Sequence, residues 1–195
     1  SNESNPIFDL PIGTYKLKIH VVNQFSCENE INISDDVIIY DTSALPSPEI
    51  IRSTVLDDID VYTEWYPKEL PTNRVKEYVI FKSDGQNEEY EYLATLDKTV
   101  NHYTDINVDV FENSYTYYIV SVNECNVTSN ASNISSSVLL GYDKPNDYQT
   151  ILKWTSYKEW KEGVNRYEIQ KLNKYGEWEV FKVVNHDVNQ ILIDE

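Results

Sequence analysis

Four aromatic residues in the last third of the chain, Tyr157, Trp160, Tyr175 and Trp178, are the side chains best suited to hold something other than their own core. Flat rings stack on sugars or on a neighbouring protein surface, and exposed apolar patches usually mark an interface. These four are the candidate ligand or interface residues. Metal and redox chemistry fare worse. Cys27 and Cys125 each follow a strand-like run ending in Val-Asn. Two thiols without adjacent histidines cannot close a zinc site. A disulfide needs Cα atoms within about 7 Å, an unexpected approach for residues in different parts of a repeat. Both are read as free, or as pairing with residues outside this chain. His20, His102 and His186 stand singly in strand-like sequence. The acidic turns Asp57-Asp58-Ile59-Asp60 and Ser34-Asp35-Asp36 lack the alternating ligands and glycine of a calcium loop. No metal ligand and no cofactor is expected.

Catalytic signatures are equally thin. Five glycines leave no phosphate-cradling loop,. No serine occupies a Gly-x-Ser-x-Gly elbow. With 33 acidic residues, carboxylate pairs arise anywhere in the sequence, whereas glycoside cleavage needs two at a set separation across a cleft. No catalytic residue is expected, and the chain is read as a non-enzyme.

The elements that must carry these residues repeat. A shift of 89 residues lays Trp65 on Trp154 and Tyr78 on Tyr167 without a gap. It also superposes Val75 on Val164, Ile80 on Ile169, Lys82 on Lys171 and Asp105 on Asp194. That length is about one small β-sandwich and longer than a solenoid unit. Short alternating runs rich in Tyr, Val, Ile and Thr, bounded by Asn, Asp, Ser, Pro and Gly, predict strands throughout. The best helical candidate, residues 156–162, falls between two strands of the repeat. Region 1–44 is expected to hold a half-buried strand with Tyr15, Leu17, Ile19 and Val21 on one face, then a polar hairpin turn with Cys27, then further strands at Ile31 and Ile33 and at Val37-Ile38-Ile39-Tyr40,. Region 46–140 reads as a complete unit of about seven strands, with Ile59, Val61, Thr63 and Trp65 facing inward. Region 141–195 reads as the beginning of a second such unit, lacking its last two strands. Pro46 and Pro48 stiffen the first junction, and residues 141–145 form a very short spacer at the second.

Charge narrows the partners. Lys and Arg number 16 against 33 Asp and Glu, a net charge of −17. A nucleic-acid binder must neutralise phosphates, and anionic lipid also calls for cations, so neither is expected. No run of 18 apolar residues predicts a membrane span, and no signal peptide opens the chain. Sequons at Asn2, Asn32, Asn126, Asn130 and Asn133 would accept glycans in a secreted eukaryotic chain. In a sequence this rich in Asn and Ser, chance accounts for them.

Pro48, Trp65, Tyr78 and the run Tyr115-x-Tyr117-x-Ile119-x-Ser121-Val122-Asn123 together resemble a fibronectin type III domain. The resemblance implies an all-β array of Ig-like and fibronectin-like sandwiches in an elongated arrangement. It implies Trp65 and Tyr78 in the core, and Tyr115 as a tyrosine corner bonded back to the main chain. Region 1–44 is similar to the end of a PKD-type Ig-like domain, with Phe25-Ser26-Cys27 where that family has Gly-Cys. This order of units resembles large Bacteroidetes surface proteins with gliding-motility or type IX sorting domains. The function so implied is a non-catalytic extracellular spacer or adhesive stalk. The alternative is a carbohydrate- or protein-binding accessory module. Expected partners are neighbouring domains of the same polypeptide, a cell-surface protein or polysaccharide, and another copy paired through open strand edges.

Overall fold

The structure, a computed structural model, describes residues 10–11, 13–24, 28–32, 35–39, 45–66, 74–85, 89–158 and 163–194. Those residues form sixteen strands and no helix, an all-β architecture. Region 1–44 contributes β1 (Gly13–Tyr15), β2 (Lys18–Val22), β3 (Glu28–Asn32) and β4 (Val37–Ile39). The run expected as one strand is broken after Tyr15. β1 pairs with β4 and β2 pairs with β3, in separate sheets. Every residue of β2 is exposed, including Ile19 and Val21. Alternation alone did not foresee this. It assigns residues to a face, but burial requires a second layer over that face, and none covers it among the described residues.

The enclosed core lies in the middle region. β5 (Glu49–Leu56), β6 (Asp60–Tyr66) and β9 (His102–Asp105) form one sheet in the order β5-β6-β9. β7 (Glu77–Ser83), β8 (Glu91–Asp97), β10 (Thr116–Val122) and β11 (Ser135–Ser136) form the other, in the order β11-β10-β7-β8. Seven antiparallel strands in two sheets make a sandwich, with Trp65, Val61, Tyr78, Ile80, Tyr117 and Ile119 at its centre. Period-two alternation explains β6, where Val61, Thr63 and Trp65 are buried and their neighbours are not,. Ile59 departs from that expectation. It sits in the β5–β6 turn, half exposed, beside Asp57 and Asp58 at positive φ. Asp is among the few side chains that tolerate that backbone region. Gly85 has no such latitude, because a Cβ there would lie 2.3 Å from the Ser114 carbonyl oxygen.

β11 has only two residues, yet the edge of β10 is fully paired. Serines complete it. The Ser129, Ser132 and Ser137 N–H groups donate to the carbonyls of Ser121, Ile119 and Tyr115. Their hydroxyls in turn accept the N–H groups of the same three residues at 2.9–3.0 Å. Ser135 pairs with Tyr117 in the ladder, so every second residue of β10 is held. On the far sheet, Asn133 closes the β5 edge. Its Oδ1 accepts the Ile50 N–H at 2.8 Å, and its Nδ2 donates to the Ile50 carbonyl at 3.0 Å. The Asn133 amide is thus committed to the main chain, while the Asn130 sequon is exposed.

Beyond residue 139 come β12 (Leu140–Asn146), β13 (Gln149–Trp154), β14 (Arg166–Leu172), β15 (Trp178–Asn185) and β16 (Gln190–Asp194). They form the sheets β12-β13-β16 and β14-β15. The spacer expected at 141–145 is part of β12. Pro145 fits there because β12 is an edge strand whose register shifts between Asp143 and Asn146, and an edge bulge needs no N–H. Trp154 repeats the Trp65 contact. Each indole meets its tyrosine edge-to-face at 5.6 Å.

Replacing Trp65 with alanine removes the largest side chain of the sealed core. Urea unfolding followed by circular dichroism should show a loss of about 3–5 kcal/mol.

Candidate functional site

The four candidate aromatics separate. Trp160 lies outside the described residues. Tyr175 and Trp178 are 75% and 69% exposed, the first in the β14–β15 turn and the second opening β15. The Lys174 ammonium lies 4.9 Å from the Tyr175 ring centre. Tyr157 does something else. Its hydroxyl accepts the Ser53 N–H of β5 at 3.0 Å and lies 3.2 Å from the Ser135 hydroxyl of β11. Its own N–H donates to the Tyr167 hydroxyl of β14 at 3.1 Å. One residue therefore connects both sheets of the middle sandwich to the strands that follow.

Around Tyr157 the seam is continuous. The Lys158 N–H donates to the Ser136 hydroxyl at 3.0 Å. The Leu139 N–H donates to the Thr155 hydroxyl at 2.9 Å, and the Thr155 N–H returns to the Leu139 carbonyl at 3.0 Å. Only residues 137–139 separate β11 from β12. The sequence explains the choice of partners. β5 is an edge strand, so its Ser53 N–H needs an acceptor, and a tyrosine hydroxyl on a long arm reaches it.

Sequence reasoning missed two further features. Phe81 and Tyr118 stack at 4.8 Å on the outer face of the four-stranded sheet, with Tyr90 and Tyr92 edge-on to them. The signal was present, since these are the outward positions of β7 and β10, but the inward tyrosines drew the attention. The second is a polar group in which a half-buried lysine meets a buried aspartate and a buried tyrosine. The Lys82 ammonium lies 2.6 Å from Asp105 Oδ2, and the Tyr117 hydroxyl donates to the same oxygen at 2.8 Å. Lys82 also lies 4.3 Å from the Tyr115 ring centre. The Tyr115 hydroxyl accepts the Asp109 N–H at 3.1 Å, the main-chain bond expected of a tyrosine corner.

A cleft of about 380 Å³ opens above Lys82, lined also by Asp84, Glu89, Glu91, Tyr92 and Tyr115. Its lysine is committed to Asp105, so the remaining charge is carboxylate and disfavours anions. Cys125 is a free thiol, with its N–H held by Asn123 Oδ1; Cys27 lies outside the described residues. His186 stands in the turn between β15 and β16, not in a strand. In the Asp57–Asp60 turn, Asp60 Oδ1 accepts the Asn107 N–H. Among the described residues no three His, Cys, Asp or Glu side chains converge as a metal site, and no helix is long and apolar enough to cross a membrane.

No family model matches the chain, and no curated protein matches it. Among solved structures it is similar to a β-1,2-glucanase from Parabacteroides distasonis, at 24% identity, TM-score 0.42, covering 57% of this chain and 16% of that one. It is similar to pectate lyase PelI from Erwinia chrysanthemi, at 19% identity, TM-score 0.39, covering 46% and 28%. An Fn3-like protein from Clostridium thermocellum aligns at 21% identity, TM-score 0.41, covering 53% and 99%. The chain spans less than a third of the two enzymes' length. The sandwich assignment rests on the strand order and core described above.

Burial holds the Tyr117 phenol well above its usual pKa, and the Asp105 charge pushes it further the same way. Burial also raises Tyr78, Tyr103 and Tyr118. A raised acid keeps its proton in the folded state while the unfolded phenol releases it near pH 10. Stability should therefore hold up to about pH 9 and fall above about pH 10. Tyr117 alone contributes about 1.4 kcal/mol per pH unit. Urea midpoints measured from pH 8 to pH 11 check the sign, and Tyr117→Phe should flatten the slope.

Proposed function

We propose that this chain is a non-catalytic structural segment of a larger extracellular or cell-surface protein, acting as a spacer or stalk. The Tyr157 seam carries the reading. A spacer transmits distance only if successive units hold a fixed relation, and side-chain bonds across a three-residue connection resist bending where a free linker would not. The acidity suits an exposed, soluble rod. The partners are the neighbouring domains of the same polypeptide, and region 1–44 is the end of a PKD-type unit preceding the sandwich.

The seam can be tested directly. Tyr157→Phe should accelerate hydrogen exchange of the Ser53 amide about fivefold or more, since the lost bond is worth about 1 kcal/mol or more. Spin labels at Asp97 and Asn173, in a chain with both cysteines replaced by serine, should give a narrow distance distribution that broadens in the variant. A distribution already broad in the parent chain rules out a stiff spacer.

A second reading, a carbohydrate-binding accessory module, is favoured by one observation, the exposure of Trp178 and Tyr175. Glycan-array binding that is lost in Trp178→Ala and Trp160→Ala would establish it. Absence of saturable binding, or binding indifferent to both changes, removes it.

A further inference from the structure

Four aromatic rings stand on a face of the middle sandwich that has nothing to pack against. Tyr118 of β10, Phe81 of β7 and Tyr92 of β8 lie directly opposite one another across three strands. Their side chains point away from the core, because Tyr117, Ile119 and Ile80 at the alternate positions point into it,. Tyr90, just before β8, closes on Tyr118 at 4.9 Å, while Phe81 meets Tyr118 at 4.8 Å and Tyr92 at 6.5 Å. Tyr92 stays 63% exposed. No third layer covers this face among the described residues. We propose that this row of rings and the cleft beside Tyr92 form a binding site for an uncharged glycan, with one pyranose in the cleft and the next ones along the rings.

The sandwich does not need these rings. The 89-residue shift that lays Trp65 on Trp154 puts Gln170 at the place of Phe81 and Glu179 at that of Tyr90. The next copy builds the same Trp–Tyr contact at 5.6 Å without them. Outward positions of a two-layer sandwich face water, where a contiguous aromatic patch marks a place that something covers.

The occupant follows from the chemistry of the walls. Tyr92 belongs to both parts of the site, since it also lines the cleft of about 380 Å³ with Asp84, Glu89, Glu91 and Tyr115. That volume falls in the range of small-ligand pockets, about 300–1,000 Å³. Rings call for a flat apolar surface, and carboxylates for hydroxyl donors. A pyranose presents both, with C–H groups on its face and hydroxyls around its edge. Charge then selects among glycans. Lys82, the cation lining the cleft, is held by Asp105 at 2.6 Å, so uronates and sulfated sugars meet carboxylate. A purely cationic ligand would use the carboxylates and leave the row of rings beyond them uncovered. This inference rests on the carbohydrate reading above and moves its site from Trp178 to the middle sandwich, whose two sheets are both closed around a core.

The test titrates the isotope-labelled full chain, followed by NMR, with cellohexaose, laminarihexaose and mannohexaose, and with a hyaluronan oligosaccharide as the anionic counterpart. At least one uncharged sugar should give saturable amide shifts at Phe81, Glu91, Tyr92 and Tyr118. Tyr92→Ala, at an exposed position, should weaken that binding about tenfold or more, and Trp178→Ala should leave it unchanged. The affinity should be alike at low and high salt, as an uncharged ligand requires. No saturable shift with any uncharged sugar at its solubility limit overturns the proposal. So does tighter binding of the anionic sugar, a steep salt dependence, or binding that Tyr92→Ala leaves intact. Binding lost in Trp178→Ala instead keeps the carbohydrate reading and overturns this site.

Discussion

The edge-to-face contact between Trp65 and Tyr78 is the constraint from which the sandwich is built. One residue comes from each sheet, so the contact fixes both the separation and the rotation of the layers. The indole N–H of Trp65 is buried with no hydrogen-bond partner, and so is that of Trp154. Leaving such a donor unpaired costs about 1–3 kcal/mol. Removing 150–250 Å² of ring from water contributes about 4–6 kcal/mol at about 25 cal/mol per Å². Burial wins, and the favourable ring-edge geometry offsets part of the loss. The two copies nevertheless differ in enclosure. Trp65 is fully buried and Trp154 keeps 8% exposure, although the pair geometry is nearly the same at 68° and 64°. The pair therefore forms from two strands in contact, and the sealed core requires the further strand that β10 supplies.

Side chains, more than strands, close the sheet edges. Ser129, Ser132 and Ser137 each present an N–H and a hydroxyl to one residue of β10, imitating a neighbouring strand. Asn133 does the same for Ile50 with its amide. Tyr157 extends the device to Ser53, with the difference that its backbone belongs to the next set of strands. The chemistry that caps an edge inside the sandwich thus becomes its attachment to the strands that follow. An edge so occupied is also protected against pairing with another chain.

The inward positions were legible from the sequence because burial writes a period of two into β6, β7 and β10. The aligned Trp and Tyr marked the core contact before any geometry was known. Partners were not legible. Tyr15 and Val21 alternate as one strand, yet belong to β1 and β2 with different neighbours. Residues 141–145 read as a spacer because Gly and Pro punctuate them, although an edge strand tolerates both. The serines between 129 and 137 look like loop composition. A hydroxyl is polar in any window, and its acceptor lies in a strand remote in sequence. Tyr157 looks in sequence like one more ring of an aromatic patch with Trp160, Tyr175 and Trp178, and only its bonds to Ser53 and Ser135 reveal its separate task.

Lys82 shows why the repeat carries more than a core pattern. A lysine beside an aspartate inside a sandwich adds little net stability, because desolvation offsets the attraction. Its worth lies in selectivity. Lys82 demands a carboxylate at Asp105, and the shared Tyr117 hydroxyl fixes which strand lies beside β7 and in what register. A slip of one residue would turn the hydroxyl to the opposite face and leave the Lys82–Asp105 group without its third member. Lys171 keeps the lysine but meets Glu179 of β15, its hairpin neighbour, at the surface. The same residue type thus reads out its surroundings: half-buried, paired with Asp105 and set over the Tyr115 ring beside β10, and exposed and paired with Glu179 within the β14–β15 hairpin.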